Sequence, residues 1–251
     1  MIFHTDLDNT IIYSYKHNIG EHKRAVERYQ GREISFITEL TYEMLRDVKD
    51  EMTVVPTTTR TKEQYERIDL GVGRFPYELV CNGGVLLIEG KRDKSWYETS
   101  VELVRNVREL LDDSVKFLEK DKRTAFEVQF IEELFVFTKC DKVESVVKDL
   151  RERLDLTKLD VFHNGSKLYV IPKTLAKGKA LERMKEYTGD EQIISAGDSY
   201  FDVSMFEHSD LSFAPESLAK KVSLPPETVV LPEYGLFSEM MLNEILVLLS
   251  F

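Results

Sequence analysis

The chain is poor in several things at once. Only 2 cysteines and 1 tryptophan occur in 251 residues, beside 12 glycines and 7 prolines. Cys81 and Cys140 lie in apolar runs and offer neither a disulfide framework nor a zinc spacing, so a reducing, cytoplasmic setting is expected. The modest glycine and proline content excludes collagen-like and low-complexity classes. No apolar run approaches the ~18–20 residues of a membrane span, so no membrane partner is expected. The opening stretch MIFHTDLDNT has neither a basic segment nor an apolar one, which argues against a secretory signal. Positive charge is also short: 34 Lys and Arg against 45 Asp and Glu leave a net charge of −11. The basic residues do not extend into a patch, so a nucleic-acid partner is excluded as well. The surplus carboxylates either cover solvated faces or converge in part on a cation.

What is present reads as a globular α/β chain. Strand-length apolar runs occur at 2–5, 52–56, 77–81, 192–196, 211–214 and 228–231, and several are continuous, as in parallel strands covered on both faces. Thr61 with Gln64, Thr99 with Glu102 and Asp141 with Glu144 have capping-box spacing and predict helix starts. The flanks 1–84 and 173–251 read as β-α repeats. Residues 85–172 read instead as an inserted α+β domain: a hairpin around Gly90, a helix, strands at 123–130 and 133–139, a second helix, and two strands turning at Asn164-Gly165. The fold expected is a Rossmann-like parallel sheet carrying that insertion.

Asp6 and Asp8 stand at the end of the first strand, where residues two apart point the same way. Asp198 and Asp202, in ISAGDSYFD, stand just past a later strand. In open α/β sheets these strand ends are where ligands bind. Carboxylates gathered there repel unless a cation sits among them, and Mg²⁺ with oxygen ligands suits them. The strand MTVVP runs into Thr57-Thr58-Thr59-Arg60, which brings hydroxyls and a guanidinium suited to phosphate oxygens to the same edge. Lys173, Lys177 and Lys179 open a helix, where a cation is unfavourable for the dipole and a functional lysine is favoured.

In this order, DLDNT, TTTR, KGKAL and GDSYFD resemble the four signature motifs of the haloacid dehalogenase superfamily of phosphohydrolases. The inserted domain resembles the cap of the type-II subgroup, which includes Cof-like and sucrose-phosphate phosphatases. The resemblance implies that Asp6 is a nucleophile forming an aspartyl-phosphate and that Asp8 is the general acid and base. It implies that Lys177 stabilises the transferring phosphoryl group and that Thr58, Thr59 and Arg60 lie at the phosphate. Mg²⁺ would then be held by Asp6, the Asp8 backbone carbonyl, Asp198 and Asp202.

Three departures accompany it. Thr59 stands where the second motif usually has glycine, and Phe201 where the fourth often has asparagine. The stretch 13–40 is long, with a hairpin expected around Gly31, and is read as an enlarged flap. The expected activity is Mg²⁺-dependent hydrolysis of a small phosphorylated metabolite, a sugar phosphate in first place. A phosphomutase of the same fold and a non-enzymatic phospho-acceptor are the alternatives.

Overall fold

The computed structural model describes residues 1–190 and 192–250, which divide into two compact units. Met1–Arg92 and the stretch from Lys177 onward form the first, and Asp93–Ala176 form the second.

The first unit begins with β1 (Ile2–Thr5), whose residues are all buried. Next come β2 (Tyr13–Ser14), β3 (Lys23–Tyr29), β4 (Arg32–Thr38) and α1 (Glu39–Glu51). The strand β5 (Thr53–Pro56), the short helix α2 (Lys62–Tyr65) and the strands β6 (Tyr77–Val80), β7 (Val85–Ile88) and β8 (Lys91–Arg92) complete its first segment.

The second unit contains α3 (Lys94–Val104), α4 (Arg108–Lys120), β9 (Gln129–Ile131) and β10 (Phe135–Lys139). It continues through α5 (Val143–Arg153), β11 (Leu159–Asn164) and β12 (Lys167–Pro172). Its sheet is antiparallel, in the order β11-β12-β10-β9.

The first unit resumes with α6 (Lys177–Thr188), β13 (Ile193–Ala196), α7 (Val203–Phe206) and β14 (Leu211–Pro215). It ends with α8 (Glu216–Ala219), β15 (Thr228–Leu231) and α9 (Phe237–Leu249). The central sheet is all parallel, in the order β15-β14-β13-β1-β5. The chain leaves β1 toward β5 on one side and later returns to β13 on the other. The carboxyl ends of β1 and β13 therefore flank a topological switch point, the position where such sheets bind ligands. Phe3, Val54, Ile194 and Phe213 of the sheet pack with Leu45 and Val48 of α1 and with Met241, Leu242 and Ile245 of α9. Each side chain of this size contributes about 1.5–3 kcal/mol on burial, and that core fixes the strand ends from which the site is built.

Several local expectations are corrected. Tyr77–Val80 pairs antiparallel with β7 and meets the chain just past β5 at an isolated parallel bridge between Thr57 and Leu79. The helix expected from Thr99 begins at Lys94, because the Asp93 side chain accepts the Trp96 N–H at 2.7 Å. Thr99 lies inside that helix and donates to the Ser95 carbonyl, the back-bonding open to a threonine whose helix has already been started upstream. Asp141 does not cap α5 either; Lys142, in a left-handed conformation, holds that position. The strand expected from 123 starts only at Gln129, because Arg123 is tied into a loop by Asp121, Ser145 and Asp149. Asn164 pairs with Lys167, so the hairpin turns at 165–166, one residue later than expected. The hairpin around Gly31 is present, with Gln30 and Gly31 both at positive φ, and β3 and β4 form a sheet with β2. Among the described residues, no helix is long and apolar enough to cross a membrane.

Candidate active site

The β1 ladder carries Asp6 into place. Its backbone N–H donates to the Ala196 carbonyl at 2.9 Å, so Asp6 leaves the sheet beside the end of β13. A tight turn follows, in which the Leu7 carbonyl accepts the Thr10, Ile11 and Ile12 N–H groups. Asn9 sits in that turn at φ 60°, and its amide donates to Asp198 Oδ2 at 3.3 Å, tying the two loops together. Asparagine tolerates this backbone conformation better than most residues, the one signal that singles out Asn9 in the DLDNT motif.

Gly197 opens the second loop. A Cβ at this position would lie 2.3 Å from Asp202 Cβ, so only glycine lets the loop close over Asp202. The Asp202 carboxylate is fully buried and braces this loop. Its Oδ2 accepts the backbone N–H groups of Asp198 and Ser199 at 3.1 and 3.0 Å and the Ser199 hydroxyl at 2.8 Å. Its Oδ1 accepts Lys177 Nζ at 2.6 Å, and Asp6 Oδ1 accepts the same ammonium, also at 2.6 Å.

Lys177 is thus the cation placed against the helix dipole at the start of α6, with a side chain only 1% exposed. Gly178 lets α6 come this close: a Cβ there would stand 2.0 Å from the Ser204 carbonyl oxygen. Burial opposes the lysine's charge, but Asp202 and Asp6 outweigh it and raise its pKa above the usual range. Lys179 instead pairs with Glu182 on the surface, and Lys173 with Asp160.

Oxygens of Asp6, Asp198 and Asp202 all lie within 4.8 Å of one another. Burial pushes the Asp6 carboxyl up to about 7 against the pull of Lys177, with Asp202 and Asp8 adding to the rise. Burial, then Asp6 and Asp202, also raise Asp198 well above the carboxylate range. Lys177 alone leaves the cluster short of positive charge. The donor set, all hard oxygens in a small volume, fits a divalent cation such as Mg²⁺.

Around this core the remaining candidates differ. Asp8 stays at the rim, its side chain 49% exposed, and Arg60 holds both carboxylate oxygens through Nε at 2.7 Å and Nη2 at 2.8 Å. Thr58 is buried at the end of β5, one strand over from Asp6, and its hydroxyl accepts the Arg60 backbone N–H. Thr59 is partly exposed on the same turn. Thr57 is turned inward to His4 Nδ1 and the Val55 carbonyl. The structure therefore gathers Asp6, Lys177, Asp198 and Asp202 directly, sets Asp8 and Thr58 beside them, and ties Arg60 to Asp8. Glu27, which also accepts from Arg60, carries no motif signal in the sequence.

The whole chain matches solved structures of one fold. Sucrose-phosphatase from Synechocystis, solved in complex with sucrose and phosphate, aligns with TM-score 0.69 at 15% identity, covering 100% of this chain and 98% of that one. A haloacid dehalogenase-like hydrolase from B. subtilis aligns with TM-score 0.58 at 15% identity, covering 97% and 98%. Trehalose-6-phosphate phosphatase from Aspergillus fumigatus aligns with TM-score 0.53 at 12% identity, covering 100% and 92%. No curated protein matches by sequence. The description "haloacid dehalogenase-like hydrolase" matches residues 3–223, most of the chain and all four motifs, and the chain belongs to that family of enzymes.

Proposed function

We propose that the chain is a Mg²⁺-dependent phosphomonoester hydrolase that works through an aspartyl-phosphate on Asp6. The observation that carries this reading is a buried Asp6 at the end of β1, 2.6 Å from Lys177 and within ligand distance of Asp198 and Asp202. Asp6 attacks phosphorus and forms the P–O bond as the ester P–O bond breaks, and Asp8 gives its proton to the departing alcohol. Water then attacks the aspartyl-phosphate, Asp8 takes the proton of that water, and inorganic phosphate leaves with Asp6 restored. Lys177 faces both the nucleophile and the charge on the phosphoryl oxygens. The Thr58 hydroxyl, having accepted the Arg60 N–H, keeps its own proton to donate to a phosphoryl oxygen; Thr59 lies on the same turn, while the Arg60 guanidinium is held by Asp8. Asp6, the Asp8 carbonyl, Asp198 and Asp202 would hold the metal, Asp202 directly or through the loop it braces. Mg²⁺ supplies the charge that lets one anion approach another.

We assign the choice of leaving group to the second unit, as a cap domain, and a sugar phosphate as the substrate class. The family membership, and structural relatives described as phosphatases of sugar phosphates, support this reading. Cys81 and Cys140 are both buried thiols, in keeping with a cytoplasmic setting. The test is phosphate release across a panel of phosphorylated metabolites, with and without Mg²⁺, for wild type and Asp6→Asn. Mg²⁺-dependent release lost in the variant is expected. Unchanged turnover in Asp6→Asn refutes the assignment, and isomerisation of a sugar phosphate without release points to a mutase.

A further inference from the structure

The hairpin of β3 and β4 carries an irregularity that turns a carboxylate into the protein. Ala25 lies opposite Phe36 and Glu27 opposite Ser35, which leaves Val26 outside the pairing. A bulge of this kind re-aims neighbouring side chains, and the consecutive residues Val26 and Glu27 are both buried, 3% and 2% exposed. A buried carboxylate is tolerated only when paired and hydrogen-bonded. Glu27 Oε2 accepts the Ser35 hydroxyl at 2.6 Å, and Oε1 accepts Arg60 Nη1 at 2.9 Å and Arg67 Nε at 3.2 Å. Burial alone would raise the Glu27 carboxyl, but the bonds from Arg60 and Ser35 hold it below its ordinary value.

Arg60 is the link. Its Nε and Nη2 grip Asp8, and its Nη1 reaches Glu27 and the Gln64 carbonyl, with the side chain only 13% exposed. Four N–H···O bonds occupy a group with five donors, which leaves little for a phosphate. A guanidinium anchored at one end fixes the plane and direction of the carboxylate gripped at the other. Each carboxylate oxygen has two lone pairs, so Asp8 can be held by Arg60 and still give or take a proton.

We propose that Glu27 is a positioning residue for ester cleavage: it anchors Arg60 so that the guanidinium sets Asp8 toward the leaving-group oxygen. The β3–β4 hairpin then belongs to the reaction machinery, and Arg60 acts on Asp8 in place of the phosphate. This inference rests on Asp8 being the proton donor.

The test uses two esters that differ in their need for that proton: an alkyl phosphate, whose alkoxide leaves poorly, and dinitrophenyl phosphate, whose phenolate leaves unaided. General acid catalysis is worth about 10²–10⁴-fold, so mis-setting the acid in Glu27→Gln is expected to lower kcat/KM for the alkyl ester by about tenfold or more. For the dinitrophenyl ester the change stays within about twofold, since no proton transfer assists that step. Glu27→Asp restores part of the alkyl activity. Should Glu27→Gln fail to fold, Ser35→Ala removes one bond to the same carboxylate and gives the same bias, at about threefold. An equal fall on both esters, or no fall on either, overturns the proposal. Asp6→Asn separates the two levels. If wild type hydrolyses both esters, Asp6→Asn neither, and the Glu27 effect is uniform, only the positioning role fails. If wild type hydrolyses neither, both readings fail.

Discussion

Replacing Lys177 with methionine keeps an unbranched side chain of similar length but removes the one ammonium that bridges Asp6 and Asp202 at 2.6 Å each. The site is 1% exposed at the lysine, 9% at Asp6 and 0% at Asp202, so water does little to replace the lost charge. Breaking a buried ion pair from one side costs about 3–5 kcal/mol, while a volume-conserving apolar replacement adds little packing strain. For a chain of this size each kcal/mol is worth about 2–4 °C, so the expected fall in Tm is roughly 6–20 °C near pH 8. The sign of the pH dependence follows from the carboxyls. Asp6 and Asp198 are already raised in the folded protein, and losing Lys177 raises them further. Groups raised in this way bind more protons folded than unfolded, so their cost grows as pH rises above about 4. The gap between variant and wild type in urea and thermal melts should therefore be wide at pH 8 and narrow at pH 5. A loss below about 1 kcal/mol at pH 8, or the same loss at both pH values, would refute the reasoning, since 3–5 is the usual range.

Two further outcomes follow from the same chemistry. A Mg²⁺ held as proposed competes with protons for Asp6, whose carboxyl is pushed up to about 7, so added Mg²⁺ should raise Tm well at pH 8 and hardly at pH 5. At a hundred times its Kd the gain is about 2.7 kcal/mol, and a pH-independent shift in calorimetry would count against the ligand set. His4 is fully buried, bonded to Thr57 Oγ1 at 3.1 Å, and burial lowers its pKa to about 3 despite Asp190. It stays neutral while the unfolded chain protonates near 6.5, so its contribution is complete above that pH and is lost as pH falls toward 3. Wild type should lose about 2 kcal/mol relative to His4→Gln between pH 7 and pH 5; parallel urea-melt profiles would show that the imidazole is not held neutral.

Much of the site was legible because its determinants are local. The apolar runs before Asp6 and Asp198 form β1 and β13, and the capping pair Thr61 and Gln64 opens α2 as its spacing predicts. The parts that were not legible depend on contacts distant in sequence. Glu27 looks like one more polar residue on an exposed hairpin, and only the bulge opposite Ser35 turns it inward to Arg60. The threonine cluster beside Arg60 points from sequence to phosphate, whereas the fold delivers Asp8 to the guanidinium. Thr99 carried the same capping spacing as Thr61, and nothing local reveals that Asp93 starts the helix ahead of it. Burial of Lys177 is anticipated only by its unfavourable position at a helix start; its partners come from strand ends that meet through the sheet order.

Chemical trapping on Asp6 bears most directly on the mechanism. Asp8→Asn keeps Asp6 and Lys177 but removes the group proposed to prepare water for the second step, so the phosphoryl group should accumulate on the protein. With Mg²⁺ and dinitrophenyl phosphate, whose phenolate leaves without the acid, acid quenching and peptide mass spectrometry should find one phosphoryl group on the peptide containing Asp6, and none when Asp6→Asn is added. Release of dinitrophenolate with no protein-bound phosphoryl group, or a phosphoryl group on any other residue, would contradict Asp6 as the nucleophile.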